Sequence, residues 1–360
     1  MPRRAIGVVT GHLFKAMRES VPLTQEQAAG ALGVDKATVQ GWESGRRPLT
    51  STRAGTLRAA TRTLLALGAE PRYLSFLGES LDADGLISYA LESPTEVMPA
   101  AHPLSHWVMT RDLSHALTWP LTGEWPTALP ARPTPRARGP VAAAPVLSAS
   151  ERTAFFTHMR RAAEQASEAG VTGALLRRQA LYICAHDSAP DTGAWLAHIR
   201  RSTLHGDRWT PYWADARSLA TSLARHGDPD PLRRFIERAL STEEGETANL
   251  RYWAYWLGLD RTLRTSDTFM TAPEGVNDLD GVGLLRNLTA RLGPHLRAID
   301  LNVHTVWALL KARPGVLHAA DRELTGRLRT AVTRLLDEPD THGTTRRKLE
   351  SVQYGLSLQP

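Results

Sequence analysis

Apolar residues recur at three- and four-residue intervals over most of this chain, and no stretch alternates strictly enough for a half-buried strand. Near the N-terminus, Leu13, Phe14 and Met17 fall on one side of a helix expected over 11–20, with Lys15 and Glu19 on the other. Pro22 enforces a break, and two short helices follow. Thr24 is the N-cap of the first, and Gln27, three residues on, completes a capping box. Ala28, Ala29 and Ala31 let another helix approach closely, and Gly33 supplies the left-handed residue expected at its end. Asp35 caps the second helix, in which Val39 and Trp42 form the buried side and Lys36, Ala37, Gln40 and Gly41 the outer one. Gly45 stops it, and Arg46-Arg47-Pro48 leave as a basic exit. Leu57, Ala60, Leu64 and Leu67 then mark a longer helix over 53–67, and Tyr73, Leu74, Phe76 and Leu77 a short fifth one.

Beyond residue 80 the pattern weakens. A helix is expected over 104–117 and a turn at 119–123, with Trp107, Trp119, Leu121 and Trp125 in an apolar module that packs on a domain or on a second copy. Prolines 126, 130, 133, 135, 140 and 145, with Arg132, Arg136 and Arg138, describe an extended, mobile linker. From residue 148 onward, helix-length segments are broken by Gly, Pro and Asp. They are expected at 148–169, 172–186, 192–204, 209–226, 231–240, 244–259, 282–292, 296–312, 316–337 and 344–356. No fixed-period repeat is present, but helix pairs of this length point to a solenoid-like stack. The chain is therefore expected to be all-α in four parts. These are a five-helix domain over 1–80, an apolar connecting module over 81–125, a Pro/Arg-rich linker over 126–147 and a helical domain over 148–360.

A short helix pair with a polar outer face and a basic exit suits the DNA major groove. Its cap, turn glycine, apolar spacing and exit arginines resemble the helix-turn-helix of the XRE/Cro family, to which the lambdoid phage repressors belong. The resemblance covers about 11–78 and assigns roles by position. It implies that Lys36, Ala37, Gln40 and Gly41 face base edges, and that Gln25, Thr38, Ser44, Arg46 and Arg47 lie along the backbone. It also implies that Arg18 and Glu43 form the buried ion pair that ties the first helix to the end of the recognition helix, 35–43. Gly41 departs from the long polar residue of many relatives, and Ala37 offers only an apolar contact, so specific readout falls mainly to Lys36 and Gln40. A weaker similarity, carried by 248–258 and 301–310, is to actinobacterial XRE-type regulators with a helical C-terminal half. It implies a regulatory or oligomerisation domain and names no ligand.

Composition narrows the classes. Of the net charge of +6, the first 80 residues carry eleven basic against six acidic side chains, so +5 sits with the helix-turn-helix, as a phosphate-binding surface requires. Arg3 and Arg4 are candidates for a mobile arm on DNA. No apolar run reaches the ~20 residues of a membrane span, and the start lacks a signal peptide's apolar stretch. With Cys184 as the single cysteine, no internal disulfide or cysteine zinc site can form, which fits a reducing cytoplasm. Neither a P-loop nor a Gly-x-Ser-x-Gly elbow is present. Pro103 spoils a helical metal spacing for His102, His106 and His115. Cys184 and His186 fall on different helical faces, and Asp278-x-Asp280-Gly281 lacks the rest of a calcium loop. No enzyme, metal or cofactor is expected.

Tyr252, Trp253, Tyr255 and Trp256 read as core or groove lining, with a small-molecule or peptide effector pocket as the alternative. The expectation is a cytoplasmic, nucleoid-associated regulator, most simply a repressor, bound to double-stranded DNA as a homodimer on a (pseudo)palindromic operator. Two other classes stay open. One is a DNA-maintenance or mobile-element factor, and the other is a helical protein- or peptide-binding scaffold localised by its DNA-binding domain.

Overall fold

The computed structural model describes residues 7–92, 97–132, 144–201, 210, 212–271, 279–293 and 296–358. Arg3, Arg4, Arg136, Arg138 and the middle of the expected linker lie outside them. Among the described residues every regular element is helical, so the chain is all-α. It divides into two compact units, Met1–Val97 with Arg111–Arg161, and Met98–Thr110 with Ala162–Pro360.

The first unit is built on α1 (Val8–Ser20), which packs against α3 (Lys36–Glu43), α5 (Pro71–Ser75), α6 (Leu77–Glu92) and α7 (Arg111–Thr122). Between them, α2 (Gln25–Leu32) meets α3 and α4 (Ala54–Ala66), and α8 (Ala149–Glu168) begins in this unit. Val9, Leu13, Phe14 and Met17 of α1 are buried. Leu67 is not: it lies past the end of α4 and is 45% exposed, while Ala60 and Leu64 close the core.

α1 starts at Val8 rather than Gly11, because its N-terminal N–H groups find an acceptor far along the chain. Val9 N and Thr10 N donate to the two carboxylate oxygens of Asp84 at 2.9 Å each, and the Thr10 hydroxyl adds a third bond of 2.6 Å. A buried carboxylate on a helix N-terminus satisfies orphan donors and opposes the positive end of the macrodipole. Its helix, α6, escapes periodicity because Ser80 and Asp84 are buried among its apolar positions.

α7 also differs from expectation. It begins at Arg111 and runs through Trp119-Pro120-Leu121, where a turn is expected from sequence. Pro120 stands in the last turn, so it forfeits one helical bond near an end where little helix remains. Gly123, at φ 79°, takes over the stop. Residues 103–105 form a separate 3₁₀ turn opened by Pro103. At the described ends of the Pro/Arg-rich segment, Leu129 and Leu147 are buried and the Trp125 indole donates to Pro130 O at 2.9 Å. Those ends are therefore packed.

The second unit contains α9 (Ala174–Cys184), α10 (Thr192–Arg201), α11 (Trp213–Arg225), α12 (Asp230–Ala239), α13 (Glu243–Trp256), α14 (Gly281–Thr289), α15 (Ile299–Ala312), α16 (Val316–Ala319), α17 (Arg322–Asp337) and α18 (Gly343–Ser357). α11 lies on α9, α10 and α12, while α15 meets α12, α13, α14 and α18. One helix expected over 316–337 is broken into α16 and α17. Asp321 turns its carboxylate onto Leu324 N at 2.7 Å and so caps a new helix. Residues 98–110 are tied in by polar bonds. Gln179 donates to Leu104 O at 2.7 Å and Trp107 O at 3.1 Å, and the Tyr255 hydroxyl donates to Val108 O at 2.6 Å.

Candidate nucleic-acid interface

Local sequence builds the α2–α3 pair. Thr24 N donates to Gln27 Oε1 at 2.9 Å and Gln27 N to Thr24 Oγ1 at 3.1 Å, the reciprocal bonds of a capping box. Gly33, at φ 66°, ends α2 in the left-handed region. Asp35 then accepts from Thr38 N, and the Thr38 bonds hold its carboxyl below the usual range. Val39 and Trp42 are buried, with Trp42 edge-on to Phe14 of α1 at 5.4 Å.

Gly11 explains how close α1 comes to α3. A Cβ there would sit 2.5 Å from Trp42 O and 3.0 Å from Glu43 O, so no side chain fits. Beside this crossing Arg18 meets Glu43, with Nε to Oε1 at 2.5 Å and Nη2 to Oε2 at 3.1 Å, and Glu43 is fully buried. The bidentate geometry fixes the end of α3 against α1. The network continues outward. Gln25 Nε2 donates to Glu43 Oε2 at 2.7 Å, and Gln40 Nε2 to Gln25 Oε1 at 3.3 Å. Gln25 and Gln40 are thus positioned from a buried carboxylate, one on each helix.

On the outer side of α3, Lys36, Ala37 and Gln40 are exposed. Lys36 Nζ lies 2.7 Å from Glu26 Oε2, both side chains well exposed. Such a surface pair is worth about 0–1 kcal/mol, which leaves Lys36 releasable. Gly41 is placed differently from its three neighbours. It is buried under the Arg47 side chain, whose methylenes lie 3.0 Å from where a Cβ would be. Arg47 Nη1 donates to Thr38 Oγ1 at 2.7 Å, so the guanidinium is laid back along the helix. Ser44 is exposed and donates to Gly41 O at 3.3 Å. Arg46 is exposed and has no polar partner among the described residues. The surface therefore offers a polar readout edge flanked by two arginines.

Residues 10–74 match the family model described as a helix-turn-helix domain. No curated protein and no solved structure matches the chain. The matched segment is a DNA-binding helix-turn-helix domain, with α2 and α3 as its two helices.

Two parts of this domain were missed from the sequence. Asp84 anchors the start of α1 from beyond the matched segment, and only a buried acid in a helix of small residues could have signalled it. Burial pushes Asp84 up to about 6, against the bonds from Thr10 and Val9 that lower it. The cover of Arg47 over Gly41 is the second, and the absent Cβ is its only signal. The other residues weighed for chemistry lie elsewhere. His102 Nδ1 accepts from Leu104 N, and Cys184 is buried. Among the described residues no group of three His, Cys, Asp or Glu is arranged to hold a metal ion. No helix of the described residues is long and apolar enough to cross a membrane.

Proposed function

We propose that the chain is a sequence-specific transcription regulator of the XRE/Cro type, acting as a repressor from a (pseudo)palindromic operator. The exposed row Lys36, Ala37 and Gln40 on a helix clamped at both ends carries the proposal. Gln40 supplies the bidentate amide suited to adenine, Lys36 a donor for guanine, and Ala37 a methyl-sized contact for thymine. Gly41 contributes no contact of its own and instead leaves room for the Arg47 side chain to lie across α3. Arg46, Arg47, Ser44, Thr38 and Gln25 supply phosphate contacts, which position the helix without reading sequence.

One such helix reads too few base pairs for a unique site, so the working form is a homodimer. Its half-sites lie about one helical turn, roughly 34–36 Å, apart. The helical second unit serves regulation or oligomerisation, and no catalytic step or cofactor is assigned to the chain. Genome-wide mapping of the bound sites tests this. A short palindrome overlapping promoters, lost in the Lys36→Ala, Gln40→Ala double variant, is expected. A single half-site, or sites clustered at replication or integration loci, would replace the repressor with a DNA-maintenance factor.

A further inference from the structure

Three buried arginines of the second unit differ in their partners. Arg178 meets Asp267 through two bonds of 2.5 Å, and Arg177 meets Asp215. Each of these buried guanidiniums has its own carboxylate. Arg217, only 6% exposed, has none: its Nε donates to the Asn249 amide oxygen at 3.1 Å, and its guanidinium lies 4.2 Å from the Tyr252 ring centre and 5.4 Å from that of Trp253.

Arg217 lines a pocket of about 280 Å³ together with Arg225, Arg291 and Arg297. No acidic side chain is among the described residues that line it. Four aromatic side chains, Tyr182, Tyr252, Trp253 and Trp256, line it as well, and Thr221, Ser222 and Asn302 are its uncharged polar residues. Trp253 is 6% exposed, and its buried indole N–H has no hydrogen-bond partner among the described residues. Four cations and an unused indole donor thus border one pocket whose described lining holds no carboxylate. Burying a guanidinium without a counter-charge is unfavourable, and burial lowers Arg217 to about 10, with Arg178 adding repulsion against the support of Tyr252. An anion entering the pocket would relieve both, and the ring faces would hold a flat group beside it.

We propose that this pocket, formed by α9, α11, α13 and the start of α15, binds a small anion that carries a flat ring, of the chemical class shared by nucleotides and aromatic carboxylates. The site stands independently of how the first unit reads DNA. Calorimetric titration of the full chain with adenosine monophosphate, guanosine monophosphate and indole-3-carboxylate tests it, with adenosine and inorganic phosphate as the separated halves. At least one ring anion is expected to bind ten-fold or more tightly than its uncharged or ring-free half. Preference for the monophosphates or for the carboxylate then identifies the anion. The Arg225→Gln, Arg297→Gln double variant changes only exposed side chains, so its fold is retained, and it is expected to weaken binding ten-fold or more. Arg217→Gln should abolish it. Failure of all three ring anions to bind, equal binding of adenosine or inorganic phosphate, or undiminished binding by the folded double variant would each overturn the proposal.

Discussion

The two units treat buried arginine in opposite ways. In the helix-turn-helix domain, Arg18 is spent on structure: Glu43 neutralises it, and the pair holds α3 still so that Gln25 and Gln40 are positioned. In the second unit, Arg178 is matched in the same fashion, but Arg217 is held among aromatic rings by uncharged partners and no carboxylate. A matched guanidinium is a fastening, and its removal should damage the fold. One without a carboxylate has less to lose structurally and more to offer an incoming anion.

The largest effect expected is from breaking the fastenings. Glu43→Ala and Asp267→Ala each strand a buried arginine and should destabilise their units by about 3–5 kcal/mol. Arg217→Gln should change stability by under about 1 kcal/mol, because no partner charge is left behind. Urea unfolding of the three variants measures this, and equal losses would erase the distinction.

Next in size is Gly11→Ala. Its methyl would meet the backbone of Trp42 and Glu43 rather than a movable side chain, so a loss of about 1–3 kcal/mol is expected by the same unfolding.

Acid should weaken both units through histidine. Burial lowers His158 to about 4, with Arg161 adding to it, and lowers His304 to about 3, with Lys348 and Lys311 adding to it. Between those values and the ordinary 6.5 the unfolded chain binds the extra proton, so stability falls as pH drops through that window. Asp84 acts in the opposite direction. Its pKa is raised to about 6, so the stability it contributes is full below 3.8 and is lost as pH rises through 6. Melting temperatures from pH 7 to 4 should therefore fall less steeply in His158→Gln than in the parent, and more steeply in Asp84→Asn.

The smallest effect is on salt dependence. Arg46→Ala should weaken binding to every duplex and reduce the slope of log affinity against log salt by about 0.9, one phosphate contact. An unchanged slope would remove Arg46 from the backbone set.

What could be read from sequence was what is encoded locally. The capping box at Thr24, the glycine at 33 and the buried Val39–Trp42 spacing each lie within one or two turns, and the helices they imply are present. Non-local devices were hidden. Asp84 acts 74 residues away from Thr10, Pro120 is tolerated because little helix remains after it, and Arg47 covers a glycine whose exposure cannot be told from its neighbours. The break at Asp321 was visible as a cap residue but was outweighed by the apolar periodicity running through it. The aromatic run at 252–256 is visible in the sequence, whereas its arginines come from α11 and from the stretch between α14 and α15.

The most direct measurement compares full-length parent and the Lys36→Ala, Gln40→Ala variant on the mapped site and on a scrambled duplex, at one fixed salt concentration. The expected result is a loss of about 1–3 kcal/mol per contact on the mapped site and almost none on the scrambled one. Equal losses on both duplexes, or none on either, would contradict base readout by α3.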